Sequence, residues 1–207
     1  ADGSVEYWHR WAEVLKLAWR DRLRYVGDPD FVAVPIERLL SRDYAAGRVE
    51  GLVQTPERVD LDSWGVSSET VPETLHLSTA DAEGNVVAAT ITQGGNLGSG
   101  VVVDGTGILV AHGMCRLDPR PGGANSVAPH KRPLNNTAPM IVRLPDRDIG
   151  IGVPGGRRII AVSAQMAQRL IDFGASPLQA AEAMRLHVVV EEPVEVHPDM
   201  DATLVRG

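Results

Sequence analysis

Residues 74–92 carry the pattern that most limits what this chain can fold into. Leu75 and Leu77 alternate with Thr74, His76 and Ser78, Asp81-Ala82-Glu83-Gly84-Asn85 supplies turn residues, and Val86 to Thr92 forms a second β-rich run. Alternation on both sides of a Gly-containing turn predicts an antiparallel hairpin. Side chains two apart share a face, so Thr74, His76 and Ser78 line one side of it, and the Thr74 and Thr92 hydroxyls can meet across the ladder. As plain β-formers the two threonines need no further role. An internal threonine is also a poor nucleophile, because its hydroxyl lacks a base; a threonine at a chain terminus has one in its own amine.

Helices precede the hairpin. Ser4 suits an N-cap, Trp8, Trp11, Leu15, Ala18, Trp19, Leu23 and Val26 recur at helical spacing, and Gly27 ends the run. Such an aromatic stripe is a core face. Asp28-Pro29-Asp30 reads as a turn, and Pro35 opens a second helix carrying Ile36, Leu39, Leu40 and Tyr44 and ending near Gly47. From Gln54 to Glu73 apolar residues thin out and Thr55-Pro56, Asp62-Ser63 and Pro72 break any period, which predicts an exposed linker that can be cut.

After the hairpin, 94–100 is a glycine-rich loop, short strands are expected at 101–103 and 108–110, and 118–133 reads as a long surface loop. Strands at 140–142 and 149–151 flank Pro145-Asp146, helices follow at 157–173 and 177–185, a strand at 187–196 is interrupted by Pro193, and a helix starts at Asp199. Residues 150–155 match G-x-G-x-x-G. A dinucleotide site would need that pattern in a βαβ unit with an acidic residue on a second parallel strand, and another helix is expected there instead. The Gly155-Gly156 pair ahead of a helix has a separate use, since bare amides there can hold an anion or oxyanion.

Composition narrows the function classes. The 207 residues are 43% hydrophobic with a net charge of -7, a globular composition that disfavours a general polyanion binder, so no nucleic-acid partner is expected. No apolar run is long enough for a membrane span, and no charged-then-apolar leader opens the chain, which starts without Met. The lone Cys115 excludes an internal disulfide and leaves the compartment open, with a lean towards the cytoplasm. His9, His112, His130, His187 and His197 lack metal-ligand spacing, the glycine loop lacks the lysine of a phosphate cradle, and neither metal nor cofactor is expected. His76 reads as structural, although a Ser78–His76 pair without an acidic orienter is conceivable.

The ordered set of short motifs resembles the γ-glutamyltranspeptidase family of N-terminal-nucleophile hydrolases. Leu15-Lys16-Leu17-Ala18, Gly27 to Val32, Leu39-Leu40-Ser41 and Tyr44-Ala45-Ala46 look like the end of that family's large subunit. Thr74-x-His76-x-Ser78, Gly84-Asn85, Thr90-x-Thr92, Gly98-Ser99-Gly100, Lys131-Arg132-Pro133-Leu134 and Pro154-Gly155-Gly156 look like the start and middle of its small subunit. The resemblance implies an α+β fold, an αββα four-layer sandwich incomplete at both ends. It divides the chain into 1–53, the helical end of the large subunit, a linker at 54–73, and 74–207 from the small catalytic subunit. It implies self-cleavage between Glu73 and Thr74, attack by Thr74 with its freed amine as base, a supporting hydroxyl at Thr92, and an oxyanion site at Gly155 and Gly156. Asn135 and Asn136 fall where the family often grips a substrate carboxylate with a Ser-Ser pair.

Three departures bear on substrate. Where the family usually holds a glutamyl ammonium with Asn, Gln and Asp, this chain has Gly94, Gly113 and Arg116. A charge reversal at about 4 Å is worth roughly 4 kcal/mol at an effective dielectric near 20, so an ammonium is disfavoured there. The expectation is a self-processing amide hydrolase or acyltransferase for a carboxylate-bearing amide, whose partners are that small molecule and the rest of its own large and small subunits. An incomplete, inactive domain with a scaffold role is the alternative, and dinucleotide binding a distant third.

Overall fold

The computed structural model describes residues 3–50, 73–190 and 193–206. The expected linker lies outside the described residues except for the backbone of Glu73. The elements run α1 (Val5–Tyr25), α2 (Ile36–Leu39), α3 (Arg42–Glu50), β1 (Glu73–Ala80), β2 (Val86–Gly94), β3 (Val102–Val103), β4 (Ile108–Leu109), β5 (Met140–Arg143) and β6 (Asp148–Ile151), then α4 (Arg158–Asp172), α5 (Pro177–Glu182), β7 (Leu186–His187), β8 (Glu195–Val196) and α6 (Ala202–Arg206). Contacts group them into two units, one of α1–α3, Met114–Leu134, β7, β8 and α6, the other of β1–β6, α4 and α5. Two stretches of 74–207, Met114–Leu134 and the chain from Leu186, thus group with the N-terminal helices.

In the first unit, the Ser4 hydroxyl accepts from Tyr7 N at the start of α1. Trp8, Ala12, Leu15 and Trp19 then fall on one stripe of that helix and are buried. Trp19 meets the His187 ring edge-on with centroids 6.5 Å apart, and Val188, Val189 and Val190 after it are buried almost completely. The expected strand at 187–196 is instead two short strands: β7 pairs antiparallel with β8, Leu186 opposite Val196 and His187 opposite Glu195. Pro193 between them has no N–H to give a ladder. The second helix also differs from expectation. It ends at Leu39, and α3 starts beyond Ser41, whose hydroxyl accepts from Tyr44 N, and runs through Gly47 to Glu50.

The turn after α1 is tied to the loop before Leu134. Gly27 leaves room for the carbonyl of Ala124, which any Cβ would overlap. Asp28, buried next to it, accepts from Arg132 N at 2.7 Å, Nε at 3.0 Å and Nη2 at 2.5 Å. Asn125, also buried, donates to the Arg116 carbonyl and accepts from Leu134 N. The stretch expected as a long surface loop is thus fastened by its own buried polar groups.

In the second unit, β1 and β2 form the expected hairpin, with Thr74 opposite Thr92, His76 opposite Thr90 and Ser78 opposite Ala88. Asp81 closes the turn by accepting from the backbone and side-chain nitrogens of Asn85. β5 and β6 make a second antiparallel pair, and Val142 and Ile151 on one side of it pack with Met166, Leu170 and Ala180 of α4 and α5. That cluster is the core of the unit. Gly150, on the other side of β6, and Gly152, just past its end, meet Ser78 and His76. Hairpin, hairpin and helices therefore follow in layers, a mixed α+β architecture. The far side of β1–β2 is different: Leu75, Leu77, Val87 and Ile91 are 54, 41, 54 and 54% exposed.

Arg132 holds the Asp28 carboxyl far below the usual carboxylate range, its side-chain hydrogen bonds being the largest cause. A carboxylate depressed on folding stabilises above its unfolded pKa, about 3.9, and loses that contribution as pH falls towards the folded value. Asp28→Asn is therefore expected to melt lower than wild type at pH 7, with the difference shrinking as pH drops below about 4. Melting curves across pH 2.5–7, a window set about the unfolded aspartate pKa, check this.

Candidate active site

At the mouth of the β1–β2 hairpin, Thr74 Oγ1 lies 2.9 Å from Thr92 Oγ1. Thr92 Oγ1 in turn accepts from Gly94 N at 3.0 Å. A hydroxyl has one proton and two acceptor sites, so with the Gly94 amide donating, Thr92 can still either donate to Thr74 or accept from it. Both threonines are half-buried. The ladder register shifts between Glu73 and Thr74, with Glu73 opposite Gly94 and Thr74 opposite Thr92. Such irregularities bend a strand and re-aim its side chains.

Two residues on, His76 is held from both sides. Its Nδ1 is 2.9 Å from Thr90 Oγ1 and its Nε2 is 2.9 Å from Ser78 Oγ. A neutral ring has one N–H, so one hydroxyl donates to it and the other accepts from it. Against this row lies β6. A Cβ on Gly150 would come within 2.9 Å of Ser78 Oγ, and one on Gly152 would overlap the imidazole of His76. The G-x-G-x-x-G run is thereby accounted for: its first two glycines admit hairpin side chains against bare backbone. The dinucleotide reading loses its context, since β6 pairs antiparallel with β5 and α4 leads into α5 instead of a parallel strand.

Gly155 and Gly156 form the turn into α4, both at positive φ, +132° and +59°, conformations that favour glycine. Their carbonyls accept from Arg158 N and Ile159 N, while among the described residues their amides have no acceptor. Gly155 is three residues past Gly152, at most about 10 Å of chain.

The expected binding residues are spread more widely. Gly94 sits at φ +89° at the end of β2, and a Cβ there would lie 3.3 Å from the Cβ of His112, whose amide donates to the Gln93 carbonyl. His112, half-buried beside Gly94, carries no sequence signal of its own. Gly113 follows it and opens a 3-10 turn that ends at Arg116. Arg116 itself belongs to the first unit, near Arg22. Burial first, and then the Arg116 charge, lower the Arg22 pKa to about 10. Asn135 is exposed and accepts from Thr137 N, and Asn136 is half-buried. Among the described residues no cluster of three His, Cys, Asp or Glu could hold a metal ion, and no helix is long and apolar enough to cross a membrane.

Comparison with known proteins gives this geometry its setting. The sequence model described as Gamma-glutamyltranspeptidase matches residues 1–207. The Acylase ACY 1 proenzyme of Pseudomonas sp. (strain SE83) is 39% identical over 187 residues, covering 89% of this chain and 33% of that protein. The Glutathione hydrolase proenzyme of Escherichia coli (strain K12) is 35% identical over 205 residues, covering 89% of this chain and 34% of that protein. Among solved structures, cephalosporin acylase from Bacillus halodurans superposes over 100% of this chain and 37% of its own, with a TM-score of 0.82 and 28% identity. The chain thus spans about a third of the length of these relatives. With a match along its whole length, this chain belongs to the gamma-glutamyltranspeptidase family.

Proposed function

We propose that the complete protein is a self-processing threonine amide hydrolase or acyltransferase with the αββα fold, and that Thr74 is its nucleophile. The observation that carries this reading is the Thr74–Thr92 hydroxyl pair, 2.9 Å apart, with Thr92 anchored on the Gly94 amide. The shift of ladder register at the bond to be cut adds support, as does the proenzyme status of the acylase and glutathione hydrolase relatives.

Processing begins with attack of Thr74 Oγ1 on the Glu73 carbonyl carbon. The C–O bond forms, the C–N bond breaks, and the hydroxyl proton passes to the departing Thr74 nitrogen, leaving an ester that water hydrolyses. The product is a free amine on Thr74. With an unperturbed pKa near 8, that amine is partly neutral at pH 7 and takes the hydroxyl proton in each later turnover. Thr74 attacks the substrate amide, the leaving amine departs, and the acyl-enzyme is resolved by water or an acceptor amine.

The series of contacts along β1 supports an oxyanion role for Gly155 and Gly156. Gly150 meets Ser78 and Gly152 meets His76, so each step of two along one segment matches a step of two back along the other. Continued by one step, the same spacing would set Pro154 opposite Thr74 and the two amides beside it. Loss of one such donor typically costs roughly 3 kcal/mol of barrier.

For the substrate, we favour an acyl group bearing a carboxylate but no free ammonium, held with the help of Asn135 and Asn136. Gly94 and Gly113 offer no side chain to an ammonium, and by the family resemblance Arg116 stands in place of an Asp, which reverses the charge at that position. The rest of the protein is a needed partner: the exposed aliphatic row of Leu75, Leu77, Val87 and Ile91 has the character of a face that is covered in the whole molecule.

Two measurements on protein from the complete reading frame test this. Intact mass is expected to give two pieces that meet between Glu73 and Thr74, while Thr74→Ala stays whole; a wild type that never splits contradicts the reading. On processed enzyme, glutaryl p-nitroanilide is expected to turn over faster than γ-glutamyl p-nitroanilide, by about tenfold or more if an ammonium meets even a third of the repulsion of a close pair. Preference for the γ-glutamyl compound overturns the substrate class.

A further inference from the structure

We infer that His76 is a positioning residue, a spacer whose ring thickness sets how near the Gly155-Gly156 turn comes to the Thr74 hydroxyl. The inference rests on the reading of Thr74 as nucleophile and adds to it a device outside the reacting groups. The ring cannot rotate without losing a hydrogen bond, since Thr90 holds Nδ1 and Ser78 holds Nε2, each at 2.9 Å. Nδ1, Cε1 and Cγ of the ring stand where a Cβ on Gly152 would be, so no side chain fits there. The imidazole therefore fixes β6 against β1 at a point two residues from Thr74 and three from Gly155.

Two consequences separate a spacer from ordinary packing. The oxyanion forms only as Thr74 attacks, so a shift of the turn weakens the transition state more than substrate binding. The ring and Gly152 also share one gap, so a change that fills it and a change that empties it must partly cancel.

The test uses processed enzyme from the complete reading frame with glutaryl p-nitroanilide and γ-glutamyl p-nitroanilide. His76→Asn and Gly152→Ala are each expected to lower kcat by about tenfold or more on the better substrate, as misplacement by about 1 Å can cost a hundredfold, with KM within about threefold. The double variant His76→Asn with Gly152→Ala is expected to recover at least about threefold in kcat over Gly152→Ala alone. Where a variant processes slowly, the rate at which its purified precursor cleaves itself replaces kcat, because the Thr74 hydroxyl serves both steps, and a loss of about tenfold or more is expected there too. Where a variant fails to fold, Ser78→Ala and Thr90→Val, which each free one ring nitrogen, take its place and are expected to lower kcat in the same way.

Folded variants with kcat within twofold of wild type overturn the inference, as do losses confined to KM or a double variant no better than the worse single one. Thr74→Ala runs alongside: if it still cleaves itself, the nucleophile assignment fails, whereas an inert Thr74→Ala beside an unaffected His76→Asn removes only the spacer.

Discussion

The backbone of Gly152 lies so close to the imidazole of His76 that a methyl group would not fit between them, and much of the second unit depends on that contact. It requires glycine on one strand and a ring of fixed thickness on the other. Both nitrogens of the half-buried ring also have partners, which fix its orientation. Thr90 and Ser78 supply them from within the hairpin. On the opposite side of β6, Ile151 joins Val142, Met166 and Leu170 in the core under α4. One strand thus carries polar registration on one side and hydrophobic cohesion on the other.

This division of labour bears on how the chemistry proposed for the hairpin would coexist with its stability. The Thr74–Thr92 pair sits at its open end, where the ladder is irregular and the side chains are half-buried. The anchored region lies two to four residues inward. The hydroxyls are held by a paired strand element without being part of the core, an arrangement compatible with the preorganisation that the proposed site needs. In the first unit the Asp28–Arg132 pair does comparable work, holding the turn after α1 to the loop that ends at Leu134.

The hairpin was legible in the sequence because its determinants are local: alternation in 74–78 and 86–92, and Asp81, Gly84 and Asn85 in the turn. The pairing of Thr74 with Thr92 followed from that register, and α1 and α4 followed from their apolar periodicity. What escaped depends on partners far away in the chain. Asp28 and Arg132 are 104 residues apart, and neither position signals the other. Gly150 and Gly152 matched a nucleotide-binding pattern by spacing alone, whereas their reason is the bulk of Ser78 and His76, more than seventy residues earlier. The run at 187–196 has the composition of one strand, yet the chain reverses within it and β7 pairs with β8. His112 beside Gly94 left no local trace either, since only the fold brings the end of β2 to the residues that follow β4.

The central claim is that acyl transfer passes through the hydroxyl of Thr74, and the most direct measurement is to trap the acyl-enzyme. Processed protein from the complete reading frame, quenched in acid during turnover of glutaryl p-nitroanilide and digested, should yield a peptide that begins at Thr74 and carries one glutaryl group on that residue. An acyl group found on Ser78 or any other residue, or turnover at full rate with no acylated Thr74 peptide at any quench time, would contradict the account.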